Sequence, residues 1–97
     1  MKQLTILCSD EIRERIIHTL NRVDTGGYAE VGQVSGNRPK DPRYLDSRGM
    51  SWPAAMFVMV AEEAQVRQIV DELKDYAGHC DVQPCLRIMV LDLAEYY

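Results

Sequence analysis

The sequence predicts an α+β fold with the element order β-α-β-β-α-β. Three observations carry the expectation. Apolar runs of strand length occupy residues 4–8, 28–34, 54–61 and 85–93; apolar residues recur at helical spacing over 12–23 and 66–77; and Gly26-Gly27 and Gly78 close the two helical stretches. In the first strand Leu4, Ile6 and Cys8 alternate with Thr5 and Leu7, so it is mostly buried. Ser9 stands as a helix N-cap before Asp10-Glu11, acids suited to the positive end of a helix dipole, and Ile12, Ile16, Ile17, Leu20 and Val23 form the stripe that follows. The second strand is interrupted by Gly32, a residue that weakens a strand and is expected where another backbone comes close. Ala-Ala-Met-Phe-Val-Met-Val-Ala, residues 54–61, is apolar throughout, as in a central strand covered on both faces. Glu62-Glu63 open the second helix, whose stripe is Val66, Ile69, Val70, Leu73 and Ala77. Leu86, Ile88, Val90 and Leu91 carry the last strand.

Two helices that each follow a strand fit the ferredoxin-like arrangement. This is a four-stranded antiparallel sheet in spatial order 4-1-3-2 with both helices on one face. Strands apolar on both sides leave the other face in need of cover, and another subunit is the simplest cover. Length and composition agree. The 97 residues, 46% apolar and 27% charged, suffice for one domain spanning 1–97, and a chain this short buries roughly 60–65% of its unfolded surface, which favours self-association. A net charge of −4 argues against non-specific binding of nucleic acid. No apolar run reaches the roughly 18 residues of a membrane helix, and the run before the first acids is too short for a signal peptide. Three cysteines without a regular framework suit a reducing compartment. The expectation is a cytoplasmic protein that is not itself membrane-embedded.

Residues 35–53 break the pattern. They hold Gly36, Gly49, Pro39, Pro42 and Pro53 and read as a long connection between strands 2 and 3; loops above about 12–15 residues are usually functional or disordered. Arg38, Lys40, Arg43 and Arg48 face only Asp41 and Asp46 there, so four of the eleven bases fall in this stretch. Arginines in such a loop suit bidentate contacts to carboxylate or phosphate, on a ligand or on an acidic partner. The topology brings this connection, the end of strand 1 at Cys8, the helix N-terminus at Ser9 and the approach to strand 4 (His79, Cys80, Cys85) to one end of the sheet. Strands 1 and 4 are neighbours about 4.8 Å apart.

These residues resemble those of the PII-like signalling proteins. The resemblance rests on the element order, on Gly27-Tyr28-Ala29-Glu30-Val31-Gly32-Gln33-Val34-Ser35-Gly36 leading into a polar loop, on Val58-Met59-Val60-Ala61-Glu62-Glu63, and on Leu86-Arg87-Ile88-Met89-Val90-Leu91-Asp92-Leu93. It covers the whole chain and is similar in particular to the short PII-like group found beside heavy-metal efflux pumps. The resemblance implies a homotrimer with inward-facing sheets. It also implies a T-loop at 35–53 that contacts a partner such as a membrane transporter, and a small-molecule effector, an adenine nucleotide, in clefts between subunits. The effector and partner residues are then expected among Gly36, Arg38, Lys40, Arg43, Tyr44, Arg48, Trp52 and Arg87. The chain departs from the PII pattern at residues 78–85, Gly-His-Cys-Asp-Val-Gln-Pro-Cys, where the phosphate-cradling lysine is absent. Backbone amides remain to hold an anion there.

A second reading attaches to the same end. Cys8, His79, Cys80 and Cys85 could hold a thiophilic ion such as Zn²⁺ or Cu⁺, with four residues between Cys80 and Cys85, the upper margin of zinc-ligand spacing. That would make the protein a metal-responsive trimer similar to the divalent-cation-tolerance proteins. Against it stand a Cys80–Cys85 disulfide and the plain alternative that Cys8 is a small buried hydrophobe. Trp52 beside Pro53 anchors a partner or a nucleobase, or packs the loop's base on the sheet. Met56, Met59 and Met89 fall at strand positions and read as core or interface. His18 reads as an exposed helix residue, and Tyr96-Tyr97 as a tail that packs on a neighbouring subunit. No nucleophile elbow, Walker loop or His-Glu-x-x-His is present, so no enzyme activity is expected.

Overall fold

The computed structural model describes residues 1–23, 25–38, 50–78 and 85–97. Strand β1 (Lys2–Ser9) leads through a 3-10 turn (Asp10–Ile12) into helix α1 (Arg13–Arg22). Strands β2 (Ala29–Arg38) and β3 (Met50–Ala61) follow, then helix α2 (Glu63–Leu73), a 3-10 turn (Lys74–Tyr76) and strand β4 (Leu86–Asp92). The sheet order is β2-β3-β1-β4 with every described pair antiparallel, the predicted arrangement.

The local signals act as expected. Ser9 accepts a hydrogen bond on its side chain from the Glu11 amide at 3.4 Å and starts the first helical turn. Gly26 and Gly27 take φ of 82° and 123° between α1 and β2, a conformation only glycine adopts without strain. Glu62 caps α2 through a reciprocal pair with Gln65: each side chain accepts from the other residue's backbone N–H.

The core lies between the helices and one sheet face. Leu4, Ile6 and Cys8 of β1, Ala55, Phe57 and Met59 of β3, and Ile16, Leu20, Ile69 and Leu73 of the helices are all buried in one cluster. Tyr28 meets Phe57 edge-on with ring centroids 5.7 Å apart. Arg22 pairs with Glu72 at 2.5 Å across α1 and α2, and the Arg15 guanidinium lies 5.7 Å from the Tyr76 ring centroid.

Two boundaries differ from the sequence reading. The connection expected over 35–53 is strand at both ends: β2 continues to Arg38 and β3 starts at Met50, paired through Ser35↔Pro53, Gly36↔Trp52, Asn37↔Ser51 and Arg38↔Met50. Gly32 marks a β-bulge. Val31 opposes Met56 and Val34 opposes Ala54, so β2 advances three residues while β3 advances two, and among the described residues nothing lies within 4 Å of where a Gly32 Cβ would be. The bulge sets Val31 and Val34 on the same sheet face, where uninterrupted alternation would have put Gln33.

Candidate functional site

Among the described residues, one end of the sheet holds the end of β1, the helix N-cap, the approach to β4 at Cys85 and the paired ends of β2 and β3. β1 ends at Ser9, whose amide donates to the Cys85 carbonyl at 2.8 Å and so ties the α1 N-cap to the start of β4. Beyond the Val34↔Ala54 row, β2 and β3 run on for four more rows without β1 beside them, since β1's last partner on β3 is Ala54. At about 3.4 Å per residue this two-stranded ribbon projects roughly 14 Å past the body of the sheet. Gly36 and Trp52 are direct cross-strand partners on it, and Arg38 stands on its last described row. Arg87 opposes Leu7 at the same end, exposed, with no ion pair among the described residues. Arg13, a further described base here, is committed to Glu30 at 2.5 Å and Glu14 at 2.7 Å. Lys40, Arg43, Tyr44, Arg48, His79 and Cys80 lie outside the described residues.

Neither described cysteine, Cys8 or Cys85, offers a thiolate in this structure. Burial pushes the Cys8 thiol up to about 11, with Asp10 adding to the rise and a backbone hydrogen bond at Ala55 opposing it; the side chain is protonated at neutral pH. Cys85 is buried and disulfide-bonded, its partner outside the described residues, and its sulfur lies 3.5 Å from the Tyr76 carbonyl oxygen. As ligands for Zn²⁺ or Cu⁺ both therefore start from the wrong chemical form, and among the described residues no group of three His, Cys, Asp or Glu is placed to hold a metal ion.

The Cys8 environment has a measurable consequence. A thiol whose folded value of about 11 exceeds its ordinary 9.0 leaves stability intact below pH 9 and removes it as the pH climbs from 9 to about 11, because the unfolded chain loses the proton first. The expected loss is roughly 2–3 kcal/mol, two pKa units at 1.36 each. Urea unfolding from pH 8 to 11 checks this: the Cys8→Ala chain should lack that component of the decline, and parallel curves for the two chains would refute it.

The sheet face away from the helices is the second feature. The register places Gln3, Thr5 and Leu7 of β1, Met56, Val58 and Val60 of β3, Ala29, Val31 and Val34 of β2, and Arg87, Met89 and Leu91 of β4 on it. Val31, Met89 and Leu91 are 42%, 47% and 58% exposed, an apolar surface of the kind that marks an interface. Sequence reasoning found this face but not the groove between α2 and β4. Val66 and Val70 read as ordinary core stripe.

A four-stranded antiparallel βαββαβ sheet with both helices on one face, an open apolar face and a hairpin ribbon projecting from one end defines a ferredoxin-like α+β protein. Solved PII-like structures share it. A DUF3240 family protein from Shewanella baltica OS155 superposes with a TM-score of 0.70 at 18% identity, covering 99% of this chain and 93% of that one. CPII from Thiomonas intermedia K12, a nitrogen regulatory PII-like protein bound to ADP, AMP and bicarbonate, gives 0.66 at 16% identity over 99% and 94%. The B. subtilis GlnK–ATP complex gives 0.73 at 12% over 96% and 81%. What is common at these identities is the fold. No protein-family model and no curated protein matches the sequence. Among the described residues no helix is long and apolar enough to cross a membrane.

Proposed function

We propose that this chain is a PII-like regulatory protein rather than an enzyme. In this reading it is a homotrimer in the cytoplasm that binds an adenine nucleotide between subunits and signals through residues 35–53 to a partner, a membrane transporter of the efflux type. The carrying observation is the convergence at one sheet end of the Gly36/Trp52 ribbon, the Ser9-capped helix and the uncommitted Arg87. Arg87 supplies the positive charge for phosphate that residues 78–85 lack, and the open apolar face supplies the reason to assemble. Nucleotides in the CPII and GlnK structures of the same fold support the choice of ligand class. The metal reading through Cys8, His79, Cys80 and Cys85 would need Cys85 reduced and Cys8 ionised, and no observation favours it.

Thermal unfolding with ATP, ADP and AMP tests this. A nucleotide at 100 times its Kd should add about 2.7 kcal/mol of stability. Arg87→Glu should weaken binding at least about tenfold, since it replaces a charge-assisted phosphate contact with repulsion. Stability unmoved by all three nucleotides, or undiminished binding by the Arg87→Glu chain, would refute the proposed site.

A further inference from the structure

On the helix side of the sheet, α2 and β4 leave a groove of two adjoining hollows of about 250 and 310 Å³ that share Val70 and Val90. Its floor is apolar, with Val66 and Val70 from α2 against Leu86 and Val90 from β4. Three bases stand along it. Lys2 is engaged by Asp92 and Glu63, and Lys74 by Asp71; Arg67 has no ion pair among the described residues. β4 is also an edge strand. The other edge, β2, is broken by the bulge at Gly32-Gln33 and carries Glu30, features that discourage pairing with a further strand. β4 is regular, with Met89, Val90 and Leu91 exposed in a row on alternating sides.

A second set of exposed groups follows directly. Residues 93–97, Leu-Ala-Glu-Tyr-Tyr, run on from β4, the Leu93 amide donating to the Met1 carbonyl at 3.3 Å. Tyr96 is 60% exposed and Tyr97 fully so, and the Tyr97 hydroxyl donates to Glu95 at 2.8 Å. None of these residues lines the groove of its own chain.

We propose that the groove between α2 and β4 takes residues 93–97 of a second copy of this chain in extended form, with Tyr96 on the apolar floor and Glu95, on the alternate side, at the rim opposite Arg67. The lengths agree: five extended residues reach about 17 Å, and the stretch of β4 from Leu86 to Val90, whose alternate residues line the groove, spans a similar distance. The chemistry agrees too. Tyrosine buries a large ring while its hydroxyl stays at a wet rim, and the carboxylate meets the one rim base without an ion pair. Groove and tail are different surfaces, so the contact is heterologous and is satisfied by a closed ring. This rests on the self-assembly in the reading above and is independent of its nucleotide site.

The test mixes isotope-labelled and unlabelled chains in which Tyr96 is replaced by photoreactive benzoylphenylalanine. Irradiation should join labelled to unlabelled chains, tail to the peptides of α2 or β4. Arg67→Glu and Glu95→Arg should each weaken assembly about 2- to 5-fold, and the double reversal should restore it. A stable trimer without these crosslinks, or with crosslinks inside single chains alone, overturns tail docking and leaves the trimer standing. Crosslinks between copies without a trimer do the reverse. A double variant no better than either single one overturns the Arg67–Glu95 contact.

Discussion

Leu91→Lys is expected to dissolve the proposed trimer into folded monomers. Leu91 is 58% exposed on the free sheet face, on an edge strand, opposite Gln3 of β1. The exchange therefore removes nothing from the core, and far-ultraviolet circular dichroism and the unfolding midpoint of the monomer should change little. In an assembly with the sheets turned inwards the same position is buried. Truncating a buried leucine forfeits about 1.5–3 kcal/mol of apolar burial. Placing an ammonium in its stead adds an unpaired charge in a dry contact, which costs several kcal/mol more. The ring suffers this at each of its interfaces. Light scattering at micromolar concentration should report one chain per particle, with Gln68→Lys on the exposed surface of α2 as the control that stays assembled. A Leu91→Lys chain that scatters as the wild type does would mean that this face is not the interface.

Both the fold and the apolar face were legible because they rest on patterns that local chemistry enforces. Ser9 before two acids is a helix start in any context, and Leu4, Ile6 and Cys8 alternate because one face of β1 is buried. The ribbon was not legible. Ser35, Gly36, Asn37 and Arg38 paired with Met50, Ser51, Trp52 and Pro53 have no alternation and no strand composition, and the pairing is carried by backbone hydrogen bonds that leave no mark on residue type. Gly32 reads from the sequence as a place where another backbone comes close, whereas the bulge found there is a property of two strands in register. Of the cysteine grouping, the approach of Cys85 to the end of β1 was legible: Cys85 directly precedes β4 and its carbonyl accepts from the Ser9 amide. The chemistry was not, because the protonation of Cys8 and the oxidation of Cys85 depend on surroundings that spacing does not encode. The α2–β4 groove shows the same limit: Val70 reads as core by period, and its partial exposure follows from how far the helix covers the sheet.

Phe57→Ala and Val58→Ala, one residue apart, should give opposite readouts. Phe57 is fully buried on the helix face, opposite Ile6 of β1 and Glu30 of β2, with the Tyr28 ring edge-on against it. Removing a buried phenylalanine ring costs about 3–5 kcal/mol through lost burial and the cavity left behind. A domain of this size has about 5–15 kcal/mol in total, so the variant loses a large part of its margin. Each kcal/mol lowers the midpoint of a domain this small by about 4–8 °C, so a fall of at least about 12 °C is expected. Val58 points the other way, opposite Thr5 and Ala29 on the free face, and is partly exposed. Its truncation should leave the monomer's midpoint within a few degrees and weaken assembly instead. Calorimetry over a range of protein concentrations separates the two effects, because only an assembly defect makes the change in midpoint depend on concentration. A Phe57→Ala midpoint within about 5 °C of the wild type would contradict the packing of the core, and a Val58→Ala defect independent of concentration would contradict the division of labour between the two faces of β3.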